Sequence, residues 1–359
     1  MNSKAAVPVA LALCLSSLWA QPPRPLDPAA SVPASIVSLF DSHRIVMLGE
    51  LHGSVQQHAL LKQLVADPRF AERVNDIVVE GCNSFYQEAM DRYIAGSEVP
   101  RERLRLAWEN VVGAPGGAPV PPYHGLFAAI RSVNLKLPRD RRLRVLCGDP
   151  PIDWTRVETR EDIAPFLGFR DEHYASVVRY QVLALRRKAL LIMGSGHFQR
   201  REGKPGLIEQ QMIMAFVKPY VILPGSDIVG GYDDLDERFQ QQPAPWLAEM
   251  KDHWVGALPR WQESPVVGYP AMTPTKTKLG TWAQTGDAYL YLGSRDKLTQ
   301  GGEAFDLEGT PYGAELRRRW KIIFPKPPQE LPKSDGQERP LFPKMAPPAP
   351  ALPRVPSPN

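Results

Sequence analysis

The stretch Arg44-Ile-Val-Met-Leu48-Gly49-Glu50-Leu51-His52 is a short apolar run that ends in a glycine and two ionisable side chains. From Val55 to Val65, apolar residues then recur at the spacing of one helix face. A short apolar run followed by an amphipathic segment predicts a strand and then a helix.

The same pattern returns along the chain. Five further apolar runs predict strands: Ile77–Val79, Leu143–Leu146, Ala189–Met193, Tyr220–Leu223 and Asp287–Leu292. Helical periodicity is present in Ser84–Ile94, Tyr123–Val133, Asp171–Lys188 and Leu207–Val217. Strands that alternate with helices predict an α/β fold, a single domain whose largely parallel sheet is flanked by helices.

The two ends of the chain differ in composition from its middle. Residues 1–20 combine Lys4, an apolar run and small residues, which is typical of a secretory signal, and residues 21–34 predict a linker. Of the 38 prolines, 12 lie between Pro325 and Pro358, so we expect a disordered Pro-rich tail at residues 321–359. The α/β domain is therefore expected at residues 35–320 of an exported protein, periplasmic or secreted, with no transmembrane span in its mature form.

Composition narrows the class of protein. The chain has 359 residues, 43% of them hydrophobic, and a formal net charge of +4. These values indicate a folded globular protein, and so small a charge on so long a chain argues against a nucleic-acid partner. Only Cys82 and Cys147 follow the predicted signal, and we expect two buried thiols rather than a bridge.

Four of the predicted strands end in a glycine-containing turn with ionisable side chains. The turns are Gly49-Glu50-Leu51-His52, Glu80-Gly81, Gly148-Asp149 and Gly194-Ser195-Gly196-His197. Because the carboxyl ends of parallel strands meet at one edge of a sheet, we expect Glu50, His52, Glu80 and His197 around one cleft. Asp149 is a further candidate metal ligand, although an aspartate before two prolines also fits a turn cap.

Several motifs resemble one superfamily. They are Leu48-Gly-Glu-Leu-His-Gly-Ser54, Val79-Glu80, the helix from Tyr123 to Asn134 with Arg131 near its end, Cys147-Gly-Asp149 and Met193-Gly-Ser-Gly-His-Phe198. This set resembles the superfamily of erythromycin esterase, the ChaN-like haem-binding proteins and the Tiki/TraB metalloproteases over residues 44–223. The spacing from His52 to His58 is similar to the ChaN-like pattern, which we favour, whereas His52-Gly53-Ser54 is similar to the esterase pattern. The esterases have an extra residue between the glutamate and the histidine, which this chain lacks.

Two hydrolytic chemistries suit these side chains. In the first, His52, His197 and a carboxylate of Glu50 or Glu80 hold a divalent metal ion that activates water. In the second, His52 is a general base oriented by Glu80 or Glu50, and His197 or Arg131 stabilises the developing oxyanion. Both chemistries predict a hydrolase that acts on a small-molecule or peptide substrate.

The ChaN-like resemblance implies an alternative, which is non-covalent haem binding by an uptake or carrier protein without catalytic activity. A haem iron needs an axial histidine or tyrosine beside an apolar surface. Tyr86 and Tyr93 are available for this role. Tyr123 and His124 are the predicted haem ligands.

Overall fold

The structure is a computed structural model that describes residues 26–27, 29–112, 121–225, 236–264, 275–301, 304–324 and 327–341. The predicted signal at residues 1–20 lies outside the described residues. No helix in the described ranges combines the length and apolar character needed to cross a membrane.

The described helices are α1 (Val32–Leu39), α2 (Val55–Ala66), α3 (Phe70–Arg73), α4 (Gln87–Ile94), α5 (Arg101–Glu109), α6 (Pro121–Asn134), α7 (Arg160–Gly168), α8 (Arg170–Val177), α9 (Leu207–Met214), α10 (Asp236–Phe239) and α11 (Pro311–Ile323). The strands are β1 (Ile45–Glu50), β2 (Asp76–Asn83), β3 (Arg144–Asp149), β4 (Ala189–Gly194), β5 (Tyr220–Pro224), β6 (Trp246–Glu249), β7 (Pro259–Ser264), β8 (Thr275–Thr281), β9 (Ala288–Tyr291), β10 (Thr299–Gln300), β11 (Phe305–Asp306), β12 (Lys333–Ser334) and β13 (Arg339–Pro340).

Seven of these strands form one sheet in the order β3-β2-β4-β1-β5-β9-β6. Every neighbouring pair is parallel except β6 and β9, which are antiparallel. Glu50 of β1 lies opposite Gly194 of β4, so these two strands end level with each other. The predicted α/β fold with a largely parallel sheet is confirmed.

The sheet is buried on both faces, which explains why its central strands are continuous apolar runs. In β1, Val46 and Leu48 pack into the core beneath α2 and α6, whereas Ile45 and Met47 pack into the core beneath α8 and α9. Side chains alternate between the two faces of a strand, so a strand inside the molecule needs apolar residues at every position.

Secondary structure is present near both ends of the described chain. Helix α11 continues to Ile323, and beyond it β12 pairs with β11 and β13 pairs with β10. The described chain therefore makes backbone contacts to Pro340, past the predicted end at residue 320. At the other end, α1 begins at Val32, inside the predicted linker, with Ser31 capping it. Residues 342–359 lie outside the described residues.

The prediction of two separate buried thiols is wrong. Cys82 and Cys147 form a disulfide between the neighbouring strands β2 and β3, with their Cα atoms 4.4 Å apart. Although 65 residues separate them in sequence, a shift of register between Val79 and Asn83 places Cys82 beside β3. Both cysteines are fully buried. The pairing depends on strand order, which spacing in the sequence does not contain.

Candidate active site at the carboxyl edge of the sheet

Four adjacent strands, β3, β2, β4 and β1, bring their carboxyl ends to the same place. Glu50 ends β1, Glu80 lies near the end of β2, and Asp149 ends β3. His52 follows β1 in the turn before α2, and His197 follows β4 in a short 3-10 turn. The structure thus brings together Glu50, His52, Glu80 and His197 through direct side-chain contacts, and Asp149 is joined to Glu80 through Arg170.

Glu50 is the buried centre of one half of this network. Its Oε1 accepts a hydrogen bond from Nε2 of His58 at 2.9 Å, and its Oε2 lies 3.2 Å from Nδ1 of His52. The hydroxyl of Tyr123 also donates to Oε2. Burial raises the pKa of Glu50, but the charge of His52 and the bonds from both histidines outweigh it and lower the pKa to about 2. Glu50 is therefore a carboxylate at neutral pH.

His58 contributes to the site although the sequence assigned it no role. It lies on α2, six residues after His52, and its side chain is 3% exposed. Its Nδ1 has no hydrogen-bond partner among the described residues. His58 thus holds Glu50 from the side of α2, in addition to the contact from His52.

His52 is the exposed member of the network, with 57% of its side chain accessible. Its Nδ1 faces Glu50, and its Nε2 lies 3.6 Å from Oε2 of Glu80. Because Glu50 is ionised, Nδ1 of His52 carries a proton and donates to it, and Nε2 faces the second carboxylate, Glu80. Gly53 in the left-handed region at φ 81° and the Ser54 cap of α2 set the turn that holds this ring.

Glu80 links the two histidines. Its Oε2 accepts from the backbone N–H of Gly194 at 2.6 Å, and its Oε1 accepts from Nη2 of Arg170 at 3.0 Å. Nε2 of His197 lies 3.3 Å from the same Oε1. Burial raises the pKa of Glu80, but the charges of His197, His52 and Arg170 outweigh it and hold the pKa well below its usual range.

His197 carries positive charge at neutral pH. Its Nδ1 is 2.5 Å from Oδ1 of Asp171, and its other nitrogen faces Glu80. Burial lowers the pKa of His197, but the two carboxylates outweigh this effect and raise the pKa to about 9. The site therefore contains a fixed imidazolium beside the more exposed His52.

Helix α8 supplies residues that sequence reasoning missed. Arg170 donates from Nε and Nη2 to Oδ1 of Asp149 at 3.1 and 3.0 Å and also bridges to Glu80. The hydroxyl of Tyr174 donates to the same oxygen of Asp149 at 3.0 Å. A helix that precedes a parallel strand begins at the carboxyl edge of the sheet, so the first residues of the predicted helix Asp171–Lys188 were a usable signal.

Asp149 is fully buried, and its second carboxylate oxygen accepts from the backbone N–H of Val112. Burial raises the pKa of Asp149 to about 6, against the opposing charge and hydrogen bond of Arg170. Asp149 thus holds Arg170 in position instead of facing the cleft.

Two glycines make room for these contacts. A Cβ on Gly194 would lie 2.8 Å from Nε2 of His52, and a Cβ on Gly81 would lie 2.6 Å from Cε2 of Tyr123. Both glycines therefore leave room for side chains of the site itself, which would otherwise overlap with the added carbon.

The predicted metal site does not fit this arrangement. No group of three or more His, Cys, Asp or Glu in the described part of the chain is arranged to hold a metal ion. Each oxygen of Glu50 and Glu80 already faces protein nitrogen or hydroxyl donors, and those of Asp149 do likewise. A metal ion would have to displace these hydrogen-bond donors before it could bind any of the three carboxylates.

Arg131 lies away from the site. Its guanidinium donates to the backbone carbonyls of Tyr93, Gly96 and Ser97 at 2.5 to 2.9 Å. It sits eight residues after Tyr123 on α6, a distance of about 12 Å along the helix. Arg131 therefore cannot stabilise an oxyanion beside His52, because it is committed to the end of α4 near the opposite edge of the sheet.

The two haem-ligand candidates are placed differently from each other. Tyr123 is 1% exposed and its hydroxyl is bound to Glu50, so it does not fit an axial ligand that must reach the iron. His124 is half-buried, with its ring 6.1 Å from that of Trp108. His124 is therefore the more accessible of the two candidates.

No family model matches the chain, and no curated protein matches it significantly. Among solved structures, it is similar to a mutant of the erythromycin esterase EreC in its open conformation, with 12% identity, coverage of 76% of this chain and 97% of that chain, and a TM-score of 0.46. A Bacillus cereus protein shows 13% identity, coverage of 75% and 94%, and a TM-score of 0.46. ChaN of Campylobacter jejuni with cofacially bound haem shows 13% identity, coverage of 56% and 88%, and a TM-score of 0.30. All three structures are less than 15% identical to this chain and have TM-scores below 0.5.

Proposed function

We propose that this protein is an exported hydrolase in which His52 is the general base that activates water. The observation that carries the proposal is an exposed imidazole whose Nδ1 is held by Glu50, a buried carboxylate with a pKa of about 2. In this pairing Nδ1 is the donor to Glu50, which leaves Nε2 as the nitrogen that takes up a proton from water.

In the proposed reaction, Nε2 of His52 takes a proton from water as the water oxygen attacks the carbonyl carbon of an ester or amide. The resulting imidazolium lies between Glu50 and Glu80, whose negative charges stabilise it. His197, whose two ring nitrogens face Asp171 and Glu80, adds a fixed positive charge at the same edge of the sheet. The proton on His52 is then delivered to the leaving group.

Arg170 and Asp149 have supporting roles in this proposal. Arg170 holds the carboxylate of Glu80 through a hydrogen bond of 3.0 Å and is itself held by Asp149. Because Glu80 contacts both histidines, this fixed carboxylate holds the two imidazole rings in a constant position relative to each other. The disulfide between strands β2 and β3 supports the predicted export, since disulfides persist in oxidising compartments.

The test is the hydrolysis of p-nitrophenyl esters and small lactones by the purified chain, its His52→Asn variant and a His43→Asn control. We expect the His52 substitution to lower kcat/KM by roughly 100-fold or more, the usual contribution of a general base. His43 lies before β1, at the amino edge, so its substitution should leave kcat/KM unchanged.

Equal rates for the wild type and the His52→Asn variant would contradict the proposal. A stoichiometric complex with hemin, seen by absorbance and retained in the His52→Asn variant, together with no hydrolysis, would favour the carrier alternative. Both measurements use the same protein preparations, so the two functions are compared directly.

A further inference from the structure

An apolar patch lies at the amino edge of the sheet, opposite the candidate active site. It consists of Tyr180, Leu185, Ile213, Met214 and Phe216, whose exposed fractions are 62%, 56%, 46%, 73% and 98%. Ile213 and Met214 end α9, Phe216 follows it, and Tyr180 lies in the π-helical continuation of α8. A hydrogen bond of 3.1 Å from Arg179 to Gln211 joins the two helices at this point.

Three exposed cations lie next to residues of this apolar patch in sequence. Arg179, Arg186 and Lys218 are all exposed, and the guanidinium of Arg179 lies 5.5 Å from the ring centre of Tyr180. The ion pairs found among the described residues do not include Arg186 or Lys218. Glu209, on the same helix as the patch, is buried against Arg200 and does not neutralise them.

The backbone provides a second, independent observation. Phe216 has φ 59° and Arg186 has φ 55°, both in the left-handed region. Each residue closes the end of a helical segment, because Val217 N–H bonds to Met212 and Arg187 N–H bonds to Val182. Glycine is the usual residue at such a position, since side chains oppose this conformation. Here the chain instead presents a phenylalanine and an arginine to solvent.

We propose that this edge of the protein binds the surface of a lipid bilayer that contains anionic phospholipids. Phe216 and Met214 would enter the boundary between headgroups and acyl chains, while Arg186 and Lys218 contact the phosphates. The apolar side chains match the acyl-chain layer of such a surface, and the exposed cations beside them match its phosphate layer. The active site, at the far ends of the strands, then faces the aqueous phase.

The charge of the edge favours a bilayer over a second copy of this chain. Two copies facing each other through the apolar patch would bring Arg186 and Lys218 of one close to the same cations of the other. Like charges oppose that contact, whereas a negative lipid surface attracts them. This inference does not depend on the proposed hydrolase activity.

Flotation with vesicles tests the proposal. The chain from Gln21, which keeps every described element, is mixed with vesicles of phosphatidylcholine alone or with 30% phosphatidylglycerol, about a third of the lipid. We expect binding to the anionic vesicles only, weakened at high salt because the cations are then screened. Phe216→Gly is expected to lower the partition coefficient about tenfold, and so is the double variant Arg186→Glu, Lys218→Glu.

Phe216→Gly is the decisive variant, because glycine suits φ 59° and the thermal midpoint should be unchanged or higher. Phe169→Ala and Lys62→Glu are matched controls, an exposed aromatic residue and an exposed cation away from the patch, and should bind as the wild type does. Absence of binding to anionic vesicles would overturn the proposal. Equal binding by Phe216→Gly and the wild type would also overturn it. The same holds for a dimer of the wild type in solution that dissociates into monomers in Phe216→Gly.

Discussion

Replacing Gly194 with alanine should disable the proposed base while leaving the fold intact. The added Cβ would lie 2.8 Å from Nε2 of His52 and 3.3 Å from Oε2 of Glu80. Gly194 has φ −49° and ψ 137°, which alanine adopts without strain. The side chain of His52 is 57% exposed and can turn away, so the ring moves and the backbone does not.

The size of the effect follows from the contact distance. A carbon and a nitrogen that do not bond to each other need about 3.5 to 3.8 Å, so the ring of His52 must shift by roughly 1 Å. A displacement of that size near the reacting atoms costs about 100-fold in rate. We therefore expect kcat/KM for ester hydrolysis to fall by about two orders of magnitude, with the free energy of unfolding within about 1 kcal/mol of the wild type.

Gly196→Ala is the matched control, because a Cβ at Gly196 meets no atom within 4 Å. Both variants are assayed for kcat/KM and for thermal unfolding by circular dichroism. Wild-type activity in Gly194→Ala, or an equal loss of activity in both variants, would refute the reasoning. A loss of activity that accompanies unfolding of Gly194→Ala alone would show that the backbone, and not the ring of His52, absorbs the overlap.

Three further predictions concern charged groups. Arg170→Ala removes the guanidinium that bridges the buried carboxylates of Asp149 and Glu80 and should lower the free energy of unfolding in urea by about 3 kcal/mol; a loss below about 1 kcal/mol would mean that neither carboxylate depends on it. Arg131→Ala should lower stability by about 1 to 2 kcal/mol without changing kcat/KM, and a large fall in kcat would contradict its placement. The pKa of His197 is raised from 6.5 to about 9, so its contribution, up to about 3 kcal/mol, is complete below pH 6.5 and is lost as pH rises through 9. The thermal midpoint of the wild type should therefore fall across this range more steeply than that of His197→Gln, and parallel curves would contradict the shift.

The sequence by itself determined the alternation of strands and helices. The run from Ile45 to Leu48 is apolar at every position because β1 is buried on both faces, and the helix after it has one apolar side because one side faces solvent. Such periodicity is local, so it can be read without knowing which strands are neighbours. The antiparallel edge strand β6 was not predicted, because its four residues are too few to show a repeating pattern of apolar side chains.

Part of the site was also predictable from local pattern. Glu50, Glu80, Asp149 and His197 each lie at or just beyond the carboxyl end of a predicted strand, and parallel strands present those ends at one edge. That argument needs only the direction of the strands. It places residues at an edge but leaves open which of them touch.

Only the tertiary structure decided the pairing of these groups. The order β3-β2-β4-β1 puts Glu80 between the two histidines and sets Cys82 against Cys147. Packing of α6 and α8 brings Tyr123 to Glu50 and Arg170 to Glu80, across 73 and 90 residues of chain. The energy of a buried charge depends on donors that arrive from distant segments, and hydrophobic periodicity contains no information about them.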